Sequence, residues 1–577
     1  MFKSIIKIFF LFLFLFIIKN TSAIEKNNFV ISTSHPQASK IGRDILNKGG
    51  SAMDAVLAVQ MALNLVEPQS SGIGGGGFLL YFDKKSSHLS FYDGREIAPS
   101  KIKKEFFLDN NGNPLQFHDI AIGGIAIGVP GLVSMLEMGH QDYGLLEWKS
   151  LFKPAIKLSE NGFKISPRLY NAINKDKYLY FFPQSKKYFY KKNKTYSSQT
   201  EINLPFITAD IKMIPKMKDK IQPKKKFDVL KNPNFADTLR IISLKKSEGF
   251  YEGKIAKNIV NTIQNSPIKK GIIDLNDLKN YKAKKRNPLC GKYREYKICS
   301  APLPSAGGFS ILQVLGILEE FELSKDKINE NIHLILEASK YSYNDRYTYL
   351  GDPDFANIKI NNFLSKEYLK QIASKISLNK KTESKFEIKN KFFTPTSTTH
   401  FSIIDTYGNI ASITSSIENT FGSRLMVNGF LLNNQLSDFN FKIEKNLFAN
   451  NIIEPNKRPL SSMSPTIVFD KNNNVRMVIG SPGGKSIIMY VIKTIIAVLD
   501  WEMGIQEAVD FPNFSISNDK VLIEKKRFSK EFKTYLSNLG HLIVEKELNS
   551  GLNGFEIKDN IMFGAADKRR NGLVLYN

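Results

Sequence analysis

The chain has 577 residues, 42% of them hydrophobic, and carries a formal net charge of +26 from 81 Lys and Arg against 55 Asp and Glu. That length and apolar content are ample for a large core, divided among two to four domains or built as one composite domain. A basic balance would suit nucleic acid or an anionic membrane, but no recognition helix or RNP-like aromatic motif accompanies the charge, and lysines on solvated surfaces account for it.

Residues 1–23 form a secretory signal pattern: Lys3 and Lys7 flank the start of an apolar run from Ile5 to Ile18, and Thr21-Ser22-Ala23 offers small residues for cleavage. The run is short for a membrane span of about 20 residues, an uncleaved anchor being the alternative, and no second long apolar segment follows. The mature chain is therefore expected to be periplasmic or secreted, with no stable membrane span. From Ser51 to Val66 apolar residues recur at helical spacing, and Glu67-Pro68 ends the helix. The glycines that follow match the dinucleotide fingerprint as Gly72-x-Gly74-x-x-Gly77, but that motif needs a strand before and a helix after. Here a helix precedes them and the strand-like Phe78–Phe82 follows. A second strand, His88–Asp93, leads into Gly94-Arg95-Glu96.

Residues 172–231 are rich in Lys and Tyr with little periodicity, and are expected to form an inserted, mobile surface segment. Helical spacing resumes over 232–264. Cys290 and Cys299, the two cysteines of the chain, bracket a short hairpin turning at Arg294-Glu295, which sets them opposite one another. Both a disulfide, in an oxidising compartment, and two half-buried thiols fit that placement. Residues 309–321 are strongly helical, and 365–391 read as a polar linker. Gly480–Ser486 ends in Gly-Lys-Ser, but a phosphate-binding loop would need glycine where Ile479 stands. Seven scattered histidines, without paired metal-binding spacings, indicate no metal site.

Residues 399–405 alternate polar and apolar, Thr406-Tyr407-Gly408-Asn409 supplies a turn, and 410–416 alternate again, which is a hairpin signal. Its pairing returns Ser416 to the side of Thr398. Taken alone, two hydroxyls facing each other at a strand end form an ordinary cross-strand pair.

The surrounding blocks change that reading. Glu67-Pro68-Gln69-Ser70-Ser71-Gly72, Gly74–Gly77, Asp93-Gly94-Arg95-Glu96-Ile97-Ala98-Pro99 and Tyr349-Leu350-Gly351-Asp352-Pro353-Asp354-Phe355 precede Thr398-Thr399-His400. Ser416-Ile417-Glu418-Asn419, Asn433-Asn434-Gln435-Leu436-Ser437-Asp438, Arg458-Pro459-Leu460-Ser461-Ser462-Met463 and Gly480-Ser481-Pro482-Gly483-Gly484 follow it. In this order, over most of the chain, they resemble the gamma-glutamyltranspeptidases. The resemblance implies an α+β N-terminal nucleophile hydrolase fold, a four-layer αββα sandwich built jointly by a large subunit (24–397) and a small subunit (398–577), the two forming a heterodimer after autocatalytic cleavage at Ser397–Thr398.

The resemblance further implies that Thr398 is the nucleophile, that Ser416 orients it, and that the N–H groups of Gly483 and Gly484 form the oxyanion hole. The glutamyl carboxylate falls to Arg95, Ser461 and Ser462, and the ammonium to Glu418, Gln435 and Asp438. Glu418 stands where many members carry asparagine, which adds negative charge beside the ammonium. The segment 439–457, a loop over the site, is short and lacks Tyr and Trp, so a more open pocket is expected, with room for partners larger than glutathione. The implied reaction transfers a gamma-glutamyl group from glutathione or related compounds to water, amino acids or peptides, with no cofactor and no nucleic acid. A cephalosporin or glutaryl acylase on the same scaffold, and a non-catalytic secreted basic binding protein, are the alternatives.

Overall fold

A computed structural model describes residues 28–191, 222–383, 396–443, 449–517 and 519–577; the signal segment 1–23 lies outside them. Strand alternation builds the layers. Along the Gly76–Asp83 strand, Phe78, Leu80 and Phe82 enter one hydrophobic core while Leu79 and Tyr81 enter another, because successive side chains of a strand point to opposite faces. The strand is thus buried on both sides, as its nearly continuous apolar run requires.

Seven strands make the first sheet, in the order Leu573–Tyr576, Val30–Thr33, Thr396–Ile404, Ile410–Asn419, Gly76–Asp83, His88–Gly94 and Lys284–Arg286. Each neighbouring pair is antiparallel. The Thr396–Ile404 and Ile410–Asn419 hairpin occupies the middle, flanked on both sides by strands from upstream of residue 397. A second, six-stranded antiparallel sheet runs Ile561–Ala566, Asn553–Lys558, Val475–Gly480, Thr466–Phe469, Tyr296–Ser300 and Leu289–Tyr293. Helices Pro36–Leu46, Ala52–Val66, Trp148–Asn161 and Pro233–Lys245 cover the outer face of the first sheet. Helices Ala306–Leu318, Ile328–Tyr349 and Ile487–Leu499 share the second core with residues of both sheets. The expected helix–sheet–sheet–helix sandwich is the observed architecture.

Local signals explain several boundaries. Ser51 and Asp54 form a reciprocal capping box at the start of Ala52–Val66. Cys290 pairs with Cys299 in register and the two form a disulfide, so of the two readings open in the sequence the oxidised one holds. The glycine run lies against the hairpin: Gly76 and Gly77 pair with Ser416 and Ser415, and a Cβ on Gly75 would collide with the carbonyl of Ser416. These glycines serve close backbone approach.

Three expectations need correction. The surface segment expected over 172–231 is built into the core at both ends: Ile173, Leu179, Phe182, Phe189, Tyr190 and Leu230 are buried there, and only 192–221 lie outside the described residues. Aromatic side chains spaced irregularly along short helices gave no periodic signal. The linker expected over 365–391 contains the helix Lys366–Ala373, which buries Ile372 and Ala373; its remainder from 384 lies outside the described residues. The loop over the site is not simply open, because Phe439, Phe441 and Ile453 are buried against Ala98, Ile102 and Phe107, and Phe441 stacks on Phe107 with ring centroids 4.4 Å apart. Residues 444–448 of that loop are outside the described set.

His400, wholly buried beneath the hairpin, is held through Nδ1 by Thr414 Oγ1 at 2.8 Å and through Nε2 by Ser402 Oγ at 3.1 Å. Burial pushes its pKa down to about 3, so it stays neutral. A Cβ on Gly480 would run into its ring. Gly480→Ala is therefore expected to lower stability by about 1–3 kcal/mol, read as a drop in the denaturant midpoint; an unchanged midpoint would show that the ring has room to move.

Candidate active site

The hairpin register pairs Thr398 with Ser416, and their hydroxyl oxygens lie 3.1 Å apart. The Ser416 hydroxyl also donates to the Ser397 carbonyl at 3.1 Å and accepts the Glu418 N–H at 2.9 Å. One hydroxyl thus touches both the Thr398 hydroxyl and the carbonyl of the peptide bond preceding it. The chain is continuous across Ser397–Thr398 within the Thr396–Ile404 strand. After Ser416 the pairing breaks at a bulge, and Glu418 takes a φ of 74°, a region unfavourable for a side chain of this kind. The irregularity turns Glu418 out of the strand's alternation, and its side chain lines a cavity of about 290 Å³.

That cavity gathers all ten residues proposed for catalysis and substrate binding: Thr398, Ser416, Gly483, Gly484, Arg95, Glu418, Gln435, Asp438, Ser461 and Ser462. Ser397 lies just behind it, its hydroxyl on Ser70 Oγ at 3.0 Å. Arg95, 1% exposed, donates through Nη2 to Asp438 Oδ2 at 2.7 Å and to the Leu460 carbonyl at 3.2 Å, and through Nε to the Pro459 carbonyl at 3.1 Å. Gln435 donates to the same Asp438 oxygen at 2.6 Å. Ser461 Oγ accepts the Met463 N–H at 3.1 Å, which leaves its proton to donate. Among the described residues Glu418 Oε2 is buried with no hydrogen-bond partner. Burial, and next the nearby Asp438 charge, push the Glu418 carboxyl up to about 8, so it is protonated at neutral pH.

Gly483 has a φ of 138° and a Cβ there would approach the Tyr490 ring to 2.6 Å, so both backbone and space demand glycine. Among the described residues, neither Gly483 nor Gly484 donates its N–H to another protein group. The pair supplies two free donors at the cavity wall.

Several supporting residues escaped sequence reasoning because their partners are far away along the chain. Arg570, buried at 7% exposure, donates to the Thr398 carbonyl at 2.7 Å and to the Ser550 carbonyl at 2.8 Å. Desolvation lowers its pKa to about 9, which still leaves it cationic at neutral pH. Glu67 accepts from Arg168 at 2.5 Å and from Thr399 Oγ1 at 3.3 Å. Asp93 accepts the Arg95 N–H at 2.9 Å and meets Arg286 at 2.8 Å and Arg458 at 3.3 Å. Asp352 accepts the Arg458 N–H at 2.8 Å. The landmark blocks around residues 93, 352 and 458 are thus one buried ionic scaffold beneath Arg95. A separate cluster, His333, Glu337 and His541, also formed without a sequence signal. It is a hydrogen-bonded unit: His333 Nδ1 meets His541 Nε2 at 2.9 Å, and Lys340 already matches the Glu337 charge at 2.6 Å.

The family model for gamma-glutamyltranspeptidase matches residues 38–217 and 212–576. The "Glutathione hydrolase proenzyme" of Bacillus subtilis (strain 168) is 34% identical over 569 residues, spanning 95% of this chain and 91% of that protein. The crystal structure of Helicobacter pylori gamma-glutamyltranspeptidase is 33% identical, with a TM-score of 0.54 over 62% of this chain and 96% of that one. The cephalosporin acylase from Bacillus halodurans superposes over 95% of this chain and 96% of its own with a TM-score of 0.78, but at 23% identity that likeness shows the fold alone.

Arg570→Met strips the donor from two buried carbonyls, each costing about 1–3 kcal/mol when left unpaired. A clear fall in thermal midpoint is expected, with a smaller fall for Arg570→Lys; equal stability of all three proteins would remove Arg570 from any supporting role.

Proposed function

The chain belongs to the gamma-glutamyltranspeptidase family, and on that premise we propose that it is a glutathione hydrolase and gamma-glutamyltransferase whose nucleophile, Thr398, is freed by cleavage of its own chain. The observation that carries this is the Ser416 hydroxyl, shared between Thr398 Oγ1 and the Ser397 carbonyl at the wall of a cavity lined with charges of both signs.

In the uncut chain, Thr398 Oγ1 attacks the Ser397 carbonyl carbon while Ser416 donates to the oxygen. The C–N bond breaks, the Thr398 nitrogen takes the hydroxyl proton, and an ester forms. Water opens the ester, giving a Ser397 carboxylate and a Thr398 with a free amine and a free hydroxyl. A free α-amino group titrates at about 7.7–8.0, so cleavage creates the base that a weak threonine nucleophile needs. The large subunit then ends at Ser397 and the small subunit begins at Thr398. They remain one body, because strands from both interleave in the central sheet.

The cavity's Arg95–Asp438 ion pair is the complement of a zwitterion. A γ-glutamyl head group exchanges it for two new pairs: its carboxylate on Arg95 with Ser461 and Ser462, and its ammonium on Asp438 with Gln435 and Glu418. The amine of Thr398 takes the proton from Oγ1 as it attacks the γ-carbonyl. The developing oxyanion turns to the N–H groups of Gly483 and Gly484, each such donor being worth about 3 kcal/mol of barrier. The leaving amine departs, and water, an amino acid or a peptide resolves the acyl-enzyme. Glutathione and related γ-glutamyl compounds are the donors in this scheme. A glutaryl donor has no ammonium to meet Asp438 and Glu418, which disfavours the acylase alternative, and a purely binding protein has no use for the buried hydroxyl pair. Among the described residues no helix is long and apolar enough to cross a membrane; export through the segment 1–23 places the mature enzyme in the periplasm or outside the cell.

Thr398→Ala is expected to abolish both processing and turnover, leaving one band near the full mass of 65.4 kDa, whereas the small fragment of the unaltered protein starts at Thr398 on N-terminal sequencing. Turnover of a γ-glutamyl anilide by an uncut chain would contradict the mechanism, and preference for the glutaryl anilide would favour the acylase. Because the raised Glu418 carboxyl is protonated below about 8, an incoming ammonium should expel its proton. Calorimetry of glutamate binding at pH 7, in buffers of different ionisation enthalpy, should show close to one more proton released by the unaltered enzyme than by Glu418→Gln; equal release would mean that Glu418 does not meet the ammonium.

A further inference from the structure

We propose that Arg346 and Lys485 form a second anion subsite in the cavity, which takes the carboxylate of the leaving group or of the acceptor, so that carboxylate-bearing amino acids and peptides are favoured over their amides. The subsite rests on the γ-glutamyl reading above and specifies the partner class that reading leaves open.

Arg346 lies near the end of the Ile328–Tyr349 helix and is 4% exposed, yet among the described residues its Nε and Nη1 have no hydrogen-bond partner. The other buried arginines of the region are matched: Arg95 by Asp438, Arg458 by Asp93, Arg570 by two carbonyls. A buried charge without a partner is costly, and this one lines the same cavity as Thr398. Its guanidinium lies 5.9 and 5.5 Å from the ring centroids of Tyr343 and Tyr347. That places a planar fork suited to a carboxylate.

Lys485 follows the two oxyanion glycines directly and also lines the cavity. Its Nζ stands 5.2 Å over the Tyr347 ring, and its backbone carbonyl accepts the Tyr343 hydroxyl at 2.6 Å. The helix and the glycine turn are thereby tied together, with two cations gathered on Tyr347. Lys485 belongs to the turn that carries the oxyanion donors and Arg346 to the helix tied to that turn, and neither belongs to the elements that hold the head group. The α-carboxylate and ammonium of a γ-glutamyl donor are already met by Arg95 and Asp438. The charge left over on a glutathione-like donor is the carboxylate at the far end of its leaving dipeptide, and on an amino-acid or peptide acceptor it is the C-terminal carboxylate. Both occupy the side of the scissile bond away from the glutamyl group.

The test uses the mature enzyme with a γ-glutamyl anilide as donor and compares glycylglycine with glycylglycinamide as acceptors. The unaltered enzyme should favour the carboxylate form in kcat/KM by about ten-fold or more, the scale of a charge-assisted hydrogen bond. Arg346→Gln and Lys485→Gln should each bring that ratio toward one through the acceptor KM, and Arg346→Lys should keep part of it. Lys485 is exposed, so its variant reports even where Arg346→Gln does not fold. Equal use of the two acceptors by the unaltered enzyme, or a ratio that survives in Lys485→Gln and Arg346→Gln, would overturn the subsite and leave Arg346 as packing for the tyrosines. In both cases anilide turnover persists and the γ-glutamyl reading stands. No anilide turnover by the unaltered, cleaved enzyme would sink that reading and the subsite with it.

Discussion

The pairing of Thr398 with Ser416 across an antiparallel hairpin is the contact on which the rest depends. Directly opposed residues in such a pair bring their side chains within reach of each other. Here the geometry sets one hydroxyl beside another and, through the same oxygen, beside the carbonyl of the preceding residue. A slip of one residue would send Ser416 to the opposite face of the sheet and leave Thr398 opposite Ser415 or Ile417 instead. The register is secured by burial of both faces of the hairpin, and the strands on either side come from upstream of Ser397. The central sheet therefore both holds the Ser397–Thr398 bond beside Ser416 and ties the segments before and after that bond together.

The cavity wall is held by charge in a place where charge is costly. Arg95 takes its backbone position from Asp93, which is shared with Arg286 and Arg458, and Arg458 is anchored in turn by Asp352. Only a closed network compensates for desolvating so many ions. The glycine turn at 483–484 and the strained Glu418 are local departures from regular structure at the same cavity. They are the places where a side chain or an N–H has to be aimed rather than packed. Arg346 departs in another way, as a buried cation whose Nε and Nη1 find no hydrogen-bond partner among the described residues.

The cavity is accordingly polar at two distances from the nucleophile. Near the head-group residues, positive and negative groups alternate over a short span, which suits a zwitterion. Near the Gly483–Gly484 turn the charges of Arg346 and Lys485 are of one sign. Between them stands Thr398. Burial, and next the Asp438 charge, keep the Glu418 carboxyl of the first region protonated at neutral pH.

The amino-acid sequence alone determined the hairpin, its turn and the facing of Thr398 and Ser416, since period-two alternation and turn residues are local properties. It also determined the helix after Ser51, the facing cysteines and, through ordered motifs, the ten residues expected at the site, all of which line the cavity. Tertiary structure alone decided what those motifs rest on. Arg570 reaches Thr398 from 172 residues away, and no spacing announces such a partner. It decided that the aromatic residues around 173–190 are core, because their burial depends on a surface formed by distant helices. It decided that Glu418 leaves the strand alternation, through a bulge that the residues Ser416–Asn419 do not signal. And it decided that Arg346, one charge among many in a helical pattern, has no carboxylate or carbonyl hydrogen-bonded to its Nε and Nη1 among the described residues: a sequence can show that a charge is present, but only the fold shows what answers it.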